Sequence, residues 1–296
     1  MTVRGIKKAV RIAVASGKGG TGKTMISLNL AVMFGQSVQL ADCDVEEPNV
    51  NLFLRCAQLE KTEVTMLIPA VDAARCTGCG ACGEICQFHG IVSLGARALV
   101  FPELCHGCGG CMRVCPAGAI TERPHLIGQV AVGQQGNIRL VEGRLEVGVS
   151  LVPPVIRAVR EQLQDDMPAI LDAPPGTSCP VVATLRESDY VLLVTDPTPF
   201  GLHDLKLAVA TVRQLNLPCA VIVNRAGEDL VGLYHYCQTE KLPVLLSLPD
   251  DRQIAEVTSR GDLIAHVMPE YGLMFAELAE KLKHELRVRE VGYEKG

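Results

Sequence analysis

Residues 17–24 read GKGGTGKT, set between an apolar run at residues 10–15 and a helical pattern that begins near residue 22. Gly17, Gly22, Lys23 and Thr24 satisfy the spacing G-x4-G-K-S/T. Gly17, Gly19, Gly20 and Gly22 let backbone N–H groups wrap around phosphates, and the following helix adds its positive N-terminal end. In this loop Lys18, Thr21 and Lys23 accompany the glycines. Lys23 is placed to reach the β- and γ-phosphates, and the Thr24 hydroxyl to ligate Mg²⁺. A chance glycine turn needs neither the strand before it nor the helix after it. The stretch therefore commits the chain to a strand–loop–helix unit and to a layered α/β fold.

The rest of the chain repeats that grammar. Short apolar runs at residues 37–41, 169–172, 190–195 and 220–224 read as buried strands, and helical spacing fills 153–163 and 205–215. Strands alternating with helices imply a mostly parallel sheet covered by helices on both faces. Residues 126–149, rich in Val and Gly, read as strands or a hairpin. Residues 271–288 are amphipathic. Glu277, Glu280 and Glu285 sit among the lysines of the polar face, which favours packing on the sheet over lying on a membrane. The net charge of -5 argues against a nucleic-acid partner. No apolar run is long enough to span a bilayer. The N-terminal MTVRGIKKAVRIAVAS runs straight into the glycine loop, so it reads as a first strand and not a signal peptide, and a cytoplasmic location is expected.

From about residue 75 to 121 the pattern changes to cysteine, glycine and short apolar pieces. Eight of the 13 cysteines form two copies of C-x2-C-x2-C-x3-C: Cys76, Cys79, Cys82, Cys86, then Cys105, Cys108, Cys111, Cys115. This duplication is the clearest internal repeat. Clustered spacing in a reducing compartment points to metal ligation and not to disulfides. Zinc accounts for four ligands per site but not for the third cysteine two residues on, nor for Pro116 after Cys115. The pattern resembles the bacterial ferredoxin run, although Cys86 is followed by Gln87. That resemblance implies one 4Fe–4S cluster on Cys76, Cys79, Cys82 and Cys115, and a second on Cys86, Cys105, Cys108 and Cys111. Four thiolates per cluster leave no open position, which suits electron transfer. His89 and His106, beside complete cysteine sets, have no ligand role. Residues 70–121 are thus expected to be an inserted, small α+β ferredoxin-like domain, with 1–69 and 122–296 forming one split ATPase domain.

Lys18 narrows the family. KGGTGKT, with a second lysine at the start of the loop, resembles the deviant Walker motif of the MinD/ParA ATPases. The resemblance implies ATP as substrate and an ATP-dependent homodimer in which Lys18 crosses to the partner's phosphates, like an arginine finger. DCDVEEPN after the second strand is similar to that family's first switch segment. By the same likeness Asp44 orients the attacking water and Asp42 holds a Mg²⁺-bound water; either could instead cap the following helix. Asp172, closing AILD before APPGT, matches the Mg²⁺-side aspartate of the second Walker motif. Gly176 matches the second-switch glycine that senses the γ-phosphate, and Asn224 and Arg225 match the adenine-contacting position.

Cys43, Cys56, Cys179, Cys219 and Cys237 remain, and most free cysteines behave as small buried hydrophobes. Cys179, after the second switch turn, resembles in place the subunit-bridging cysteines of the related nitrogenase iron protein, but one ligand per subunit is too few for a four-iron cluster. The combined reading is a redox ATPase: the nucleotide state of the dimer gates electron transfer, or partner interaction, through two clusters to an unidentified redox or iron–sulfur protein. An iron–sulfur carrier is the alternative, though the five other cysteines contain no C-x-x-C pair. A MinD-like spatial switch is a third. Corrin-precursor amidation, known for more distant relatives, would need a glutaminase domain that the sequence does not show.

Overall fold

The apolar runs form the middle of one sheet because each is buried on both sides. The computed structural model describes residues 9–227 and 230–293, with 287–293 as backbone only. Strand β1 (Arg11–Ala15) leads through the glycine loop into helix α1 (Lys23–Val32), followed by β2 (Val38–Asp42), α2 (Val50–Leu54) and the long β3 (Leu59–Val71). The cysteine segment contributes α3 (Ala81–Ile85), β4 (Ile91–Leu94), β5 (Arg97–Val100) and α4 (Gly110–Val114). The chain returns through β6 (Ile120–Gln135) and β7 (Ile138–Leu145) to α5 (Pro153–Glu161), β8 (Ala169–Asp172), α6 (Cys179–Leu185) and β9 (Tyr190–Thr195). Then follow α7 (Pro199–Gln214), β10 (Cys219–Ala226), α8 (Val231–Thr239), β11 (Val244–Pro249), α9 (Arg252–Ser259), α10 (Ile264–Val267) and α11 (Pro269–Tyr293).

Nine strands pair in the order β11-β10-β9-β1-β8-β2-β7-β6-β3. The run from β11 to β7 is parallel, whereas β6 and β3 add an antiparallel edge. Alternate residues of each parallel strand point to opposite faces, as the period of two requires. Ile12, Val14, Leu40, Ile170, Leu192 and Ile222 meet α1, α10 and α11 on one face. Ala13, Ala15, Ala41, Leu171, Val191 and Val223 meet α5, α6 and α7 on the other. The expected mostly parallel sheet with helices on both faces is what the chain forms. Register also sets the site: Asp42 lies opposite Asp172, and Val14 opposite Asp172, so β1, β2 and β8 end together at the carboxyl edge. That edge is where open α/β sheets bind ligands.

Two elements depart from the sequence reading. Helix α7 starts at Pro199, ahead of residue 205, because the Thr198 hydroxyl accepts from the Gly201 N–H at 2.9 Å and Pro199 stands at the first helical position. Strand β3 carries polar residues over most of its exposed length, so no apolar period marks it. It pairs with β6 from Leu59↔Gly133 to Val71↔Ile120, a two-stranded ribbon with one register shift after Val64. Residues 72–119 close the far end of this ribbon. They hold a separate two-stranded sheet, β4–β5, and pack Cys82, Ile91 and Ala98 into a small core with Ile120 of β6.

Candidate functional site

The glycine loop needs its glycines for two separate reasons. Gly20 and Gly22 have positive φ, 73° and 94°, where a side chain is strained. Gly17 and Gly22 also pack too closely for a Cβ, which would strike the Asp204 backbone and the Asn224 amide respectively. The Asn224 Nδ2 donates to the Thr21 carbonyl at 2.8 Å, so the last parallel strands brace the loop from β10. The Ser16 hydroxyl donates to the Lys18 carbonyl at 2.6 Å. The Gly176 N–H, at φ 95°, donates to the Ser16 carbonyl at 3.0 Å, tying the turn after β8 to the same loop. The Thr21 hydroxyl is buried with no hydrogen-bond partner among the described residues. A buried donor left without an acceptor is costly, and a phosphate oxygen is an acceptor of the right kind. The loop therefore fits the phosphate chain expected of it.

Behind the loop lies a buried acid cluster. Asp172 accepts from the Thr24 hydroxyl at 2.6 Å and from the Ser27 hydroxyl at 2.9 Å. Asp42 accepts from the Asp44 N–H at 3.1 Å and, through its other oxygen, from the Asn49 and Val50 N–H groups at 2.9 and 3.0 Å. Asp42 thus caps α2 and holds the segment between them, the alternative role that its sequence context left open. Burial pushes the Asp172 carboxyl up to about 6, against the pull of Thr24, Lys23 and Ser27. Burial, and then the neighbouring Asp172 charge, pushes Asp42 well above the carboxylate range. Burial likewise raises half-exposed Asp44, which faces Lys23. Lys23 is only 7% exposed, and burial lowers its pKa although Asp172 and Asp44 oppose the shift. Two adjacent buried carboxylates resist ionising together, and a divalent cation beside Thr24 and Asp172 would favour their charged forms.

Lys18 has a partner that sequence reasoning missed. Its Nζ lies 2.7 Å from Asp196 Oδ2, just past β9. Burial pushes the Asp196 carboxyl up, but the Lys18 and Thr198 hydrogen bonds outweigh it and hold the group below the usual range. The signal was the TDPTP turn, in which an Asp follows an apolar strand at the same sheet edge as Asp172. Ser27, one turn beyond Thr24 on α1, was likewise unmarked. Arg225 adopts a positive φ of 55° and its side chain is exposed. Asn224 is buried against the loop, with its amide nitrogen already committed to Thr21.

The two cysteine runs fold alike because their spacers are alike. Gly78 and Gly80 in the first run, and Gly107 and Gly109 in the second, all take positive φ, which curls each loop into the start of α3 or α4. The fourth cysteine of each run, Cys86 or Cys115, ends its short helix in extended backbone (φ, ψ of -79°, 100° and -72°, 107°) and crosses over. One tight pocket, about 20 Å³, is consequently lined by Cys76, Cys79, Cys82 and Cys115. A larger cavity of about 260 Å³ is lined by Cys86, Cys105, Cys108 and Cys111. N–H groups point at the sulfurs: Gly107 donates to Cys105 Sγ at 3.4 Å, and Ala119 to Cys115 Sγ at 3.3 Å. Burial raises Cys86, but the N–H groups of Phe88, Ile91, Gly90 and His89 outweigh it and lower the thiol overall. His106 stacks on Phe88 with centroids 3.6 Å apart at the mouth of the larger cavity. Among the described residues, no three His, Cys, Asp or Glu side chains close on a point that a metal ion could occupy.

Of the other cysteines, Cys43 and Cys237 are buried, and burial pushes Cys237 up to about 11. Cys56 and Cys219 are half-buried and Cys179 is exposed. No helix among the described residues is long and apolar enough to cross a membrane.

Comparison with known proteins accords with this arrangement. Residues 12–264 match the model of the CobQ/CobB/MinD/ParA nucleotide binding domain. An uncharacterized protein of Methanocaldococcus jannaschii is 30% identical over 257 residues, covering 85% of this chain and 90% of its own length. The iron-sulfur cluster carrier protein of Pyrococcus furiosus is 24% identical, covering 94% of this chain and 86% of its own. Among solved structures, the septum site-determining protein MinD of Pyrococcus horikoshii, complexed with Mg-ADP, superposes with a TM-score of 0.58 at 20% identity, over 93% of this chain and 96% of that one. The chain belongs to the CobQ/CobB/MinD/ParA nucleotide-binding family and is an ATP-hydrolysing enzyme.

Proposed function

We propose that the nucleotide state of a homodimer of this chain gates electron transfer, or partner interaction, through two 4Fe–4S clusters held by residues 70–121 as an inserted ferredoxin-like domain. The observation that carries this reading is the sorting of eight cysteines into two cavities of four, each drawing its fourth cysteine from the other run. Zinc fits less well. It accounts for four ligands per site but not for the third cysteine two residues on in each run, nor for Pro116 after Cys115. Bound there, each cluster supplies one-electron storage. Cys76, Cys79, Cys82 and Cys115 hold one, and Cys86, Cys105, Cys108 and Cys111 hold the other.

At the nucleotide site, Gly17, Gly19, Gly20, Thr21 and Gly22 wrap the phosphates, Lys23 neutralises them, and Thr24 with Asp172 holds Mg²⁺. Asp44 orients the attacking water. Asp42 fixes the segment that carries Asp44 and stands near the metal's water shell. Gly176 exchanges its bond to Ser16 for one to the γ-phosphate. Asn224 and Arg225 border the base. Lys18 leaves Asp196 and reaches the phosphates of the partner subunit, which makes dimerisation depend on ATP.

A mechanical link joins this site to the cysteines. The Leu145 N–H at the end of β7 donates to the Val45 carbonyl, one residue past Asp44, at 2.7 Å. Strand β7 pairs with β6, one arm of the ribbon that carries the cysteine segment. The Ser150 hydroxyl in the following loop donates to the Glu103 carbonyl, two residues before Cys105, at 3.1 Å. Coupling of about 1–3 kcal/mol along such a route changes an affinity by roughly 5- to 150-fold.

The test is a reductive titration followed by EPR, with and without ATP. A nucleotide-dependent shift in cluster potential, or in the rate of reducing an acceptor protein, supports the gate. The likeness to iron–sulfur carrier proteins favours a second reading, delivery of clusters. Rapid transfer of iron and sulfide to an apo-ferredoxin, with no ATP-dependent shift, would establish that reading in place of the first.

A further inference from the structure

A cleft of about 640 Å³ runs between α5 and α6 on the sheet face away from α1, and nothing in the nucleotide or cysteine sites uses it. Arg11, Arg157, Arg160 and Arg186 line it, against only three carboxylates, Glu161, Asp165 and Glu187. In a chain of net charge -5, that local excess of cations is out of character. Two of the arginines are already satisfied. Arg11 pairs with Asp165 at 2.9 Å, and Arg160 pairs with Glu187 at 3.0 Å while donating to the Ala183 carbonyl at 2.8 Å. The other two are not: among the described residues, the guanidinium groups of Arg157 on α5 and Arg186 at the end of α6 have neither a hydrogen bond nor an ion pair, and both side chains are exposed.

A further donor is unspent. The Arg160 Nε is buried without a hydrogen-bond partner among the described residues, in a side chain only 10% exposed. Beneath the arginines the floor is apolar, made by Pro153, Leu163 and Val182. Small-molecule sites have this construction: a concave apolar body of a few hundred cubic ångströms with a few convergent polar groups. Guanidinium forks select planar or tetrahedral oxyanions.

We propose that this cleft binds a small organic anion, with a carboxylate or phosphate head held by Arg157 and Arg186 and an apolar body on the floor beneath. The site lies beside both switch segments. Helix α6 begins directly after the turn that contains Gly176, and its Thr184, whose hydroxyl donates to the Pro180 carbonyl at 3.1 Å, stands next to the buried Cys43 between Asp42 and Asp44.

Binding is read by isothermal titration of the full chain saturated with Mg-ADP, so that the phosphate loop is filled. Phenylacetate and phenyl phosphate serve as probes, and their relative affinities identify the head group. At least one probe should bind with one site per chain, and Arg157→Ala/Arg186→Ala should weaken it tenfold or more while leaving Mg-ADP affinity unchanged. Ala183→Phe, which places a large ring in the lining of the cleft beside Val182, should weaken it as well. Absence of binding by both probes, or binding that the folded double variant retains in full, overturns the proposal. Both readouts are independent of ATP turnover and of iron content.

Discussion

Two residues carry more of the nucleotide site than their chemistry suggests. Asn224 spends its amide on the Thr21 carbonyl and sits where any Cβ on Gly22 would be. Asn224→Ala leaves that carbonyl unpaired, which costs about 1–3 kcal/mol. It should therefore lower the urea midpoint as well as ATP affinity; a variant with wild-type stability and weak ATP binding would assign Asn224 to the base alone. Asp172 makes the opposite contribution to stability from most aspartates. Its carboxyl sits at about 6 in the fold, above an unfolded value near 4, because burial favours the neutral form. The folded state then holds the proton more tightly. The resulting stability is present in full below about pH 4 and fades as pH rises through about 6, a loss of about 3 kcal/mol by neutrality. Without nucleotide or Mg²⁺, Asp172→Asn should gain on the wild type between pH 4 and 7 in thermal melts. Parallel melting profiles would show that the pair Asp42–Asp172 is relieved elsewhere. Asp172 and Lys23 were legible in the sequence because each ends or opens an apolar run. Asp196 and Ser27 were not, because their value comes from the residue each faces across the sheet, which no local spacing encodes.

At the scale of elements, legibility followed burial. Strands β1, β2, β8, β9 and β10 are buried on both faces and read as unbroken apolar runs. Strand β3 lies at the sheet edge with only Ile68 and Pro69 of its 13 residues buried, so its sequence, LEKTEVTMLIPAV, has no clear period. Yet β3 and β6 decide where the cysteines sit. The pair Val71↔Ile120 ends the ribbon, and the segment beyond packs its small core of Cys82, Ile91 and Ala98 onto that last pair alone among the β3–β6 pairs. That geometry predicts a clean excision. Replacing residues 72–119 by Asn-Gly converts β3 and β6 into a hairpin whose two-residue turn suits their twist. The shortened chain should fold, bind ATP with an affinity within a few-fold of wild type, and contain no iron. Failure to accumulate as a folded protein, judged by circular dichroism and a cooperative melt, would mean that the cysteine segment is part of one core with the sheet.

For the whole molecule, the contact between Lys18 and Asp196 fixes what must change if two copies meet as proposed. A lysine 2.7 Å from a carboxylate of its own chain cannot at the same time serve a partner's phosphates. On the proposed reading, dimerisation exchanges one ion pair for another, and the pair lost is partly exposed, with Lys18 at 30% and Asp196 at 8%. Pairs of this kind contribute about 1 kcal/mol or less, which corresponds to roughly fivefold in an equilibrium constant. Asp196→Asn keeps the acceptor for Thr198 but weakens the hold on Lys18. Sedimentation velocity across an ATP titration should then show the dimer forming at several-fold lower protein concentration than in the wild type. Lys18→Ala removes the residue on both sides of the exchange. It should abolish ATP turnover while leaving iron content unchanged and lowering the monomer's melting temperature by no more than a few degrees, the loss of the Asp196 pair. If Lys18→Ala turns over ATP at the normal rate, the lysine belongs to its own chain alone, and communication between nucleotide and cysteines must run within one subunit, along Val45, Leu145 and the ribbon.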